Sequence, residues 1–312
     1  MNLAHVHLLL NHLPTIGFAI GLALLGVAIA AKKEELKRAG LVVLFLVALI
    51  TIATYVSGNA AQSALQDRSD ISQAAIRVHE GAAFWGYVFM EITGFMAWLG
   101  LWYFRIVKRV ANWNVVAVFV LGVLTFAILT RAANLGGEIR HPEIQSGQPA
   151  ALSDDANVPD VARSIGLFVN GHSWVWPACE TLHFIGLSLL FTVVLIVDLR
   201  LLGMAKKFSF AAVYQLLPLG ILGFGMNLMT GMVFFIASPD QYVKNVSFHS
   251  KIAFMMLAGI NALYFMLVEE PWAVGPGDDA PAFAKFAAAS AIFLWVGVLF
   301  FGHMLPFLGN SF

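Results

Sequence analysis

Four histidines carry the chemistry that this chain offers. His12 and His79 are 67 residues apart, and His183 and His249 are 66 apart. Each stands near the polar start of a long apolar run, two runs apart within its pair. A single imidazole at the rim of a membrane helix is ordinarily satisfied by water or a carbonyl. Two pairs at nearly the same spacing read as ligands. In an up-down bundle the first and third helices sit diagonally, with axes about 12–14 Å apart. Two imidazoles facing inward across that gap can each bring a nitrogen to about 2 Å from one central iron. A bare zinc or copper ion asks for three or four clustered ligands instead. The diagonal pair suits an iron held in a porphyrin, with two axial positions open. A non-haem metal and a purely structural role remain the alternatives. Gly86, seven residues after His79, returns to the same helical face and leaves room for a flat macrocycle. Arg77, Arg131 and Lys251 lie near the rim, where haem propionates need counter-charges.

Other polar residues are weighed beside these. Glu91 lies deep in an apolar run, where an ionisable group is costly and usually faces a bundle interior or a water path. It is a candidate for proton transfer or a quinone headgroup; the plain reading is an acid bonded to a neighbouring helix. Its positional counterpart is Asn261, twelve residues after His249 as Glu91 is after His79. Glu80 and Glu180 are candidates for fixing an imidazole through its second nitrogen. His5, His7, His141, His172 and His303 are scattered polar residues, or else a copper or zinc site or an additional axial ligand on the same side.

The elements that must position these groups follow from composition. Hydrophobic residues fill 60% of 312 positions, charged ones 12%, and mean hydropathy is +0.81, so the class is polytopic membrane protein. A net charge of zero argues against a nucleic-acid partner. With Cys179 as the one cysteine and no CxxCH, an internal disulfide and covalent c-type haem are both excluded. Since about 20 apolar residues span a bilayer, the chain reads as eight helices at 8–31, 40–61, 80–104, 114–134, 179–202, 212–237, 249–268 and 283–305. Pro14 starts or kinks the first. The opening MNLAHVHLLLNHLP has no basic segment before its apolar core and reads as a retained first helix.

The expected fold class is thus all-α, with eight transmembrane helices as two tandem four-helix bundles. Residues 1–135 form the first module, 136–172 a connecting segment on the outer side, and 173–312 the second module. The loops after helices 1, 3 and 5 hold Lys32, Lys33, Lys37, Arg38, Arg105, Lys108, Arg109, Arg200, Lys206 and Lys207. By the positive-inside rule these face the cytoplasm and both termini face the periplasm, in a bacterial inner membrane. All nine histidines then fall on the outer side. Ser57-Gly58 and Thr230-Gly231, near the outer ends of helices 2 and 6, extend the similarity of the halves and point to an internal duplication.

HLLLNHLPTIGFAIGLALLG, ITIATYVSGNAA and HEGAAF, within residues 5–135, resemble a bacterial inner-membrane family of four-helix proteins of unassigned function. TLHFIGLSLLFTVVLIVDLRLLG at 181–203, with FHSKIAFMMLAGIN at 248–261, is similar to a second bacterial membrane family. Both look like four-helix membrane b-type cytochromes, in which histidines on two helices ligate haem. Diheme cytochromes of that kind carry two histidines 13–14 residues apart on one helix. Here the residue fourteen after His79 is Thr93, so the resemblance implies one haem b per module, on the outer side. The expected function is a membrane cytochrome b subunit with two non-covalent haems, His12–His79 and His183–His249. It would exchange electrons between the quinone pool and a periplasmic redox protein or c-type cytochrome subunit. The alternatives are a membrane protein binding copper or another metal on its periplasmic face, and a transporter using Glu91.

Overall fold

A computed structural model of the protein describes residues 3–65, 71–140 and 161–308. These residues form α-helices and one short 3-10 turn, Glu270–Ala273, with no strand among them. Eight helical stretches among the described residues are 22 to 35 residues long and apolar enough to cross a bilayer. The protein is an all-α, multi-pass membrane protein. Its outward faces agree: Phe286, Phe293 and Phe300 form a seven-residue stripe of exposed rings, and Val116, Val120 and Val123 another exposed apolar face. Rows of this kind do not face water in a soluble chain; lipid is their solvent.

The chain divides into two compact units, Met1–Ala162 and Arg163–Phe312. The first contains α1 (Leu3–Leu10), α2 (His12–Ala31), α3 (Glu34–Leu65), α4 (Gln73–Val107) and α5 (Asn112–Arg140). Helices α2 to α5 pack in sequence, α5 closes back on α2, and α1 lies along α3. Small residues bring the backbones together. A Cβ added to Gly94 on α4 would stand only 2.3 Å from that of Ala48 on α3. Phe18, Leu25, Leu41, Leu44 and Met90 fill the interior with no exposed surface. Lys32 adopts a left-handed conformation (φ 52°) that ends α2 and turns the chain into α3. At the far end Ser72 caps α4, accepting from the Ala75 amide at 3.2 Å.

The second unit contains α6 (Val161–Gly171), α7 (Val175–Leu201), α8 (Phe210–Tyr214), α9 (Leu217–Ala237), α10 (Pro239–Val243), α11 (Val246–Leu267), α12 (Ala282–His303) and α13 (Leu305–Leu308). Helix α7 packs on α9 and on α12, and α11 packs on α12. The α7–α9 seam is another glycine contact, where a Cβ on Gly223 would stand 2.5 Å from the Gly186 carbonyl oxygen.

Two readings of the connecting segment change. Helix α5 continues to Arg140, past the expected boundary at 135. Part of the 136–172 segment is α6, which packs on the second unit: Gly166 lies against the Ile236 carbonyl, and Asn170 donates to the Ala237 carbonyl at 2.9 Å. Val169 joins Val175 and Ala237 in a small core. The expectation placed on 141–160 lies outside the described residues.

Candidate functional site

The break between α1 and α2 at Asn11 decides which histidine faces the first unit's interior. Pro14 sits in the first turn of α2, where an amide has no helical partner to lose. His7 and His12 are five residues apart, about 140° around a helix, so one face cannot hold both. Because α1 lies along α3, His7 is half-buried against it, and its Nδ1 donates to the Thr54 carbonyl at 3.0 Å. His12 is exposed. Of the expected His12–His79 pair, His12 faces outward, and the histidine turned toward α3 is His7.

His79, near the start of α4, donates from Nδ1 to the Ala132 carbonyl on α5 at 2.9 Å. A carbonyl oxygen can only accept, so both Nδ1 atoms carry the proton. Both Nε2 atoms are left as bare acceptors in the neutral rings. Glycine is flush against each ring. A Cβ on Gly58 would stand 3.2 Å from His7 Cε1, and one on Gly136 3.0 Å from His79 Cε1. About 12 Å further down α4, at eight residues' rise, Tyr87 stacks on Tyr55 at 4.7 Å and floors the site.

Backbone carbonyls, and not the neighbouring acids, orient these rings. Glu80 accepts from Gln62 at 3.0 Å, and Glu180 is exposed. Gly86 does not face an open slot; a Cβ there would meet Leu129 at 3.1 Å. Arg77 is half-buried two residues before His79, whereas Arg131 is exposed. Glu91 turns into the bundle. Its Oε1 and the Tyr87 hydroxyl one turn earlier are buried without a hydrogen-bond partner among the described residues. Asn261, its counterpart, is satisfied by the Ala287 carbonyl at 3.0 Å and Ser290 Oγ at 2.9 Å.

The second unit repeats half of this arrangement. His183 lies on the buried face of α7 with Gly186, Leu190, Val193 and Val197. Its Nδ1 is 2.7 Å from Thr230 Oγ1, and that hydroxyl donates to the Met226 carbonyl at 2.7 Å. The threonine oxygen therefore accepts, and His183 also keeps Nε2 bare. Gly231 lies against this ring as Gly58 does against His7. The duplicated contact thus relates His7 on Ser57-Gly58 to His183 on Thr230-Gly231. His249 departs from the expected pairing. Its Nε2 donates to the carbonyl of Val243, the last residue of α10, at 2.8 Å.

The wider histidine set does not assemble. Among the described residues no three His, Cys, Asp or Glu side chains come together as a metal site. His5 is exposed, His172 bonds the Phe168 carbonyl of the preceding helix α6, and His303 packs on Phe307. His141 lies outside the described residues. Sequence reasoning grouped His7 with this set; the signal for its role was the Ser57-Gly58 step opposite it.

The chain was compared with known proteins, and no family model, no curated protein and no solved structure matches it.

Proposed function

We propose that the first unit holds one b-type haem between His7 and His79. In this reading the protein is the electron-transfer membrane subunit of an oxidoreductase complex, exchanging electrons between the quinone pool and a redox protein on the histidine side. The supporting observation is the matched pair of imidazoles, on separate helices, each with Nδ1–H anchored on a backbone carbonyl and Nε2 bare. That second-nitrogen anchor fixes the tautomer and raises the basicity of an axial ligand. The fit extends to Gly58 and Gly136, which let each ring lie against the opposing helix.

When bound, haem supplies one-electron redox chemistry. The chain's own residues hold and insulate it. Phe18, Leu44 and Met90 keep water from the bundle below the histidines, and Arg77 is the rim cation nearest to His79 in sequence. The second unit has one inward histidine, so the geometry favours a single haem over the two expected. A periplasmic metal site draws less support, because the outer histidines lie apart.

The test is the visible spectrum and haem content of the full chain, purified after expression with ample haem. About one haem per chain is expected, with His7→Ala and His79→Ala each reducing it to near zero and His12→Ala leaving it unchanged. Haem near zero in the wild type, or loss with His12→Ala alone, overturns the reading.

A further inference from the structure

We propose that Glu91 and Tyr87 form a proton-binding pair inside the first unit, served by internal water that reaches it along Trp98 and Trp102. The water enters at the end of α4 that is followed by Lys108 and Arg109. The purpose of such a site rests on the electron-carrying reading above, since an electron added inside a low-dielectric bundle draws a compensating proton.

Four side chains of α4 carry the inference. The Tyr87 hydroxyl, Glu91 Oε1 and the indole Nε1 atoms of Trp98 and Trp102 are each buried without a hydrogen-bond partner among the described residues. Their spacings of four, seven and four residues put all four within about 60° of one helical face. That face turns to α3, where Tyr87 stacks on Tyr55 at 4.7 Å and Trp98 packs on Phe45 at 5.6 Å. Tyr87 and Glu91 are one turn apart, about 6 Å along the axis, so a single water can touch both polar ends.

One unmet buried atom can be a local fault of packing, but four on a single face call for a common partner. An indole N–H only donates, a carboxylate only accepts, and a phenol does both. The partner must therefore donate and accept at several points over roughly 22 Å of helix. Water meets that demand. A metal ion would face N–H groups with no lone pair to give, and a single organic ring could serve only part of the row. Trp98 and Trp102 hold water oxygens in place without taking the proton; Glu91 and Tyr87 exchange it. In the loading step a hydronium O–H bond breaks as the carboxyl O–H bond forms. One proton moves, no electron moves, and a neutral water remains. The same face sets the direction. Toward the histidines its next polar group is Glu80, which already accepts from Gln62 at 3.0 Å. Toward Lys108 and Arg109 come the two unmet indoles.

The experiment reads the full-length chain in phosphatidylcholine nanodiscs by two methods. With isotope-labelled tryptophan, proton-detected NMR should show magnetisation transfer from water to the indole N–H of Trp98 and of Trp102. Loss of each signal in Trp98→Phe and Trp102→Phe assigns it, and Trp113, exposed at the start of α5, is the control. By infrared spectroscopy, the C=O stretch of the protonated Glu91 carboxyl is identified by its loss in Glu91→Gln. It should shift down in heavy water and change frequency in Tyr87→Phe. Replacing both indoles, Trp98→Leu with Trp102→Leu, should slow the heavy-water shift roughly ten-fold, the effect of losing one hydrogen bond to the bound water. Helical content is read on every variant, so a misfolded chain is recognised. No water transfer to either indole, in a folded chain that shows it at Trp113, overturns the path. A Glu91 band that is missing, or unmoved by heavy water, overturns the proton-binding pair. Neither method needs haem. Haem-free protein that passes both refutes the haem reading alone, and haem-loaded protein that fails both refutes the proton site alone.

Discussion

Within the first unit, individual side chains are held by contacts that single substitutions can address. Gly136 touches His79 across the α4–α5 seam, and a branched side chain there has no volume to enter. Gly136→Val is expected to push the imidazole off the Ala132 carbonyl and remove haem, while circular dichroism stays that of the wild type. Retained haem in a folded Gly136→Val protein would mean that His79 is not an axial ligand. Glu91 offers a second test. Its carboxyl oxygen is buried without a partner among the described residues, and an unmet buried polar group costs about 1–3 kcal/mol. Glu91→Leu should therefore raise the melting temperature in detergent. If Glu91 also handles protons for the redox site, the same variant should slow quinol-driven haem reduction, the familiar exchange of stability against function. A lower melting temperature would show that Glu91 has a structural partner instead.

At the scale of elements, each unit is tied at the end away from its histidines by buried or paired charge. Glu34 accepts from the Val110 amide at 3.0 Å and pairs with Lys37 at 2.6 Å. Arg200, fully buried at the end of α7, donates to the carbonyls of Phe208, Gly275 and Asp278. It staples the loop between α11 and α12 to the one after α7. Arg105 is buried at the end of α4 as well, so two of the cations counted as loop charge are structural. The same α11–α12 loop is held from outside by Asp279, 3.0 Å from Lys285 and 3.1 Å from Lys206. Hydrogen bonds from Lys285 and then Lys206 hold its carboxyl below the usual value of 3.8. A depressed carboxyl stabilises the folded loop above its unfolded pKa, and that contribution is lost as pH falls through the folded value. Amide exchange at 275–281 should therefore be slow at pH 7 and rise, after correction for intrinsic rates, below about pH 4. Asp279→Asn should show the faster exchange already at pH 7. Identical exchange in both proteins at pH 7 would remove the pair from any role in the loop.

For the molecule as a whole, eight crossings return the chain to the side where it began. Lys32, Lys33, Lys37, Arg38, Lys108, Arg109, Lys206 and Lys207 remain as loop cations on the other side after the buried arginines are set aside. The positive-inside rule predicts that this side faces the cytoplasm. Reporter tags inserted at 32–33 and 206–207 should report cytoplasm, and one at 150 periplasm. A cytoplasmic signal from position 150 would invert the placement of the histidines, and with it the side on which electrons enter.

What the sequence determined by itself was the architecture. Apolar runs of bilayer length, broken by charged turns, leave a chain little choice but to cross as helices, because hydrocarbon offers backbone amides no other partner. The eight spans were legible for that reason, as was the kinship of Ser57-Gly58 with Thr230-Gly231. Which histidines face inward was decided only by the tertiary structure. The spacing of 67 against 66 residues pointed to His12, but the break at Asn11 lays α1 along α3 and rotates His7 into the bundle. His249 kept its expected place on α11 and still turned to the Val243 carbonyl. A one-dimensional count records distance along the chain. The direction of a side chain depends on helical phase and on the neighbouring helix that covers it, and those exist only once the helices have packed.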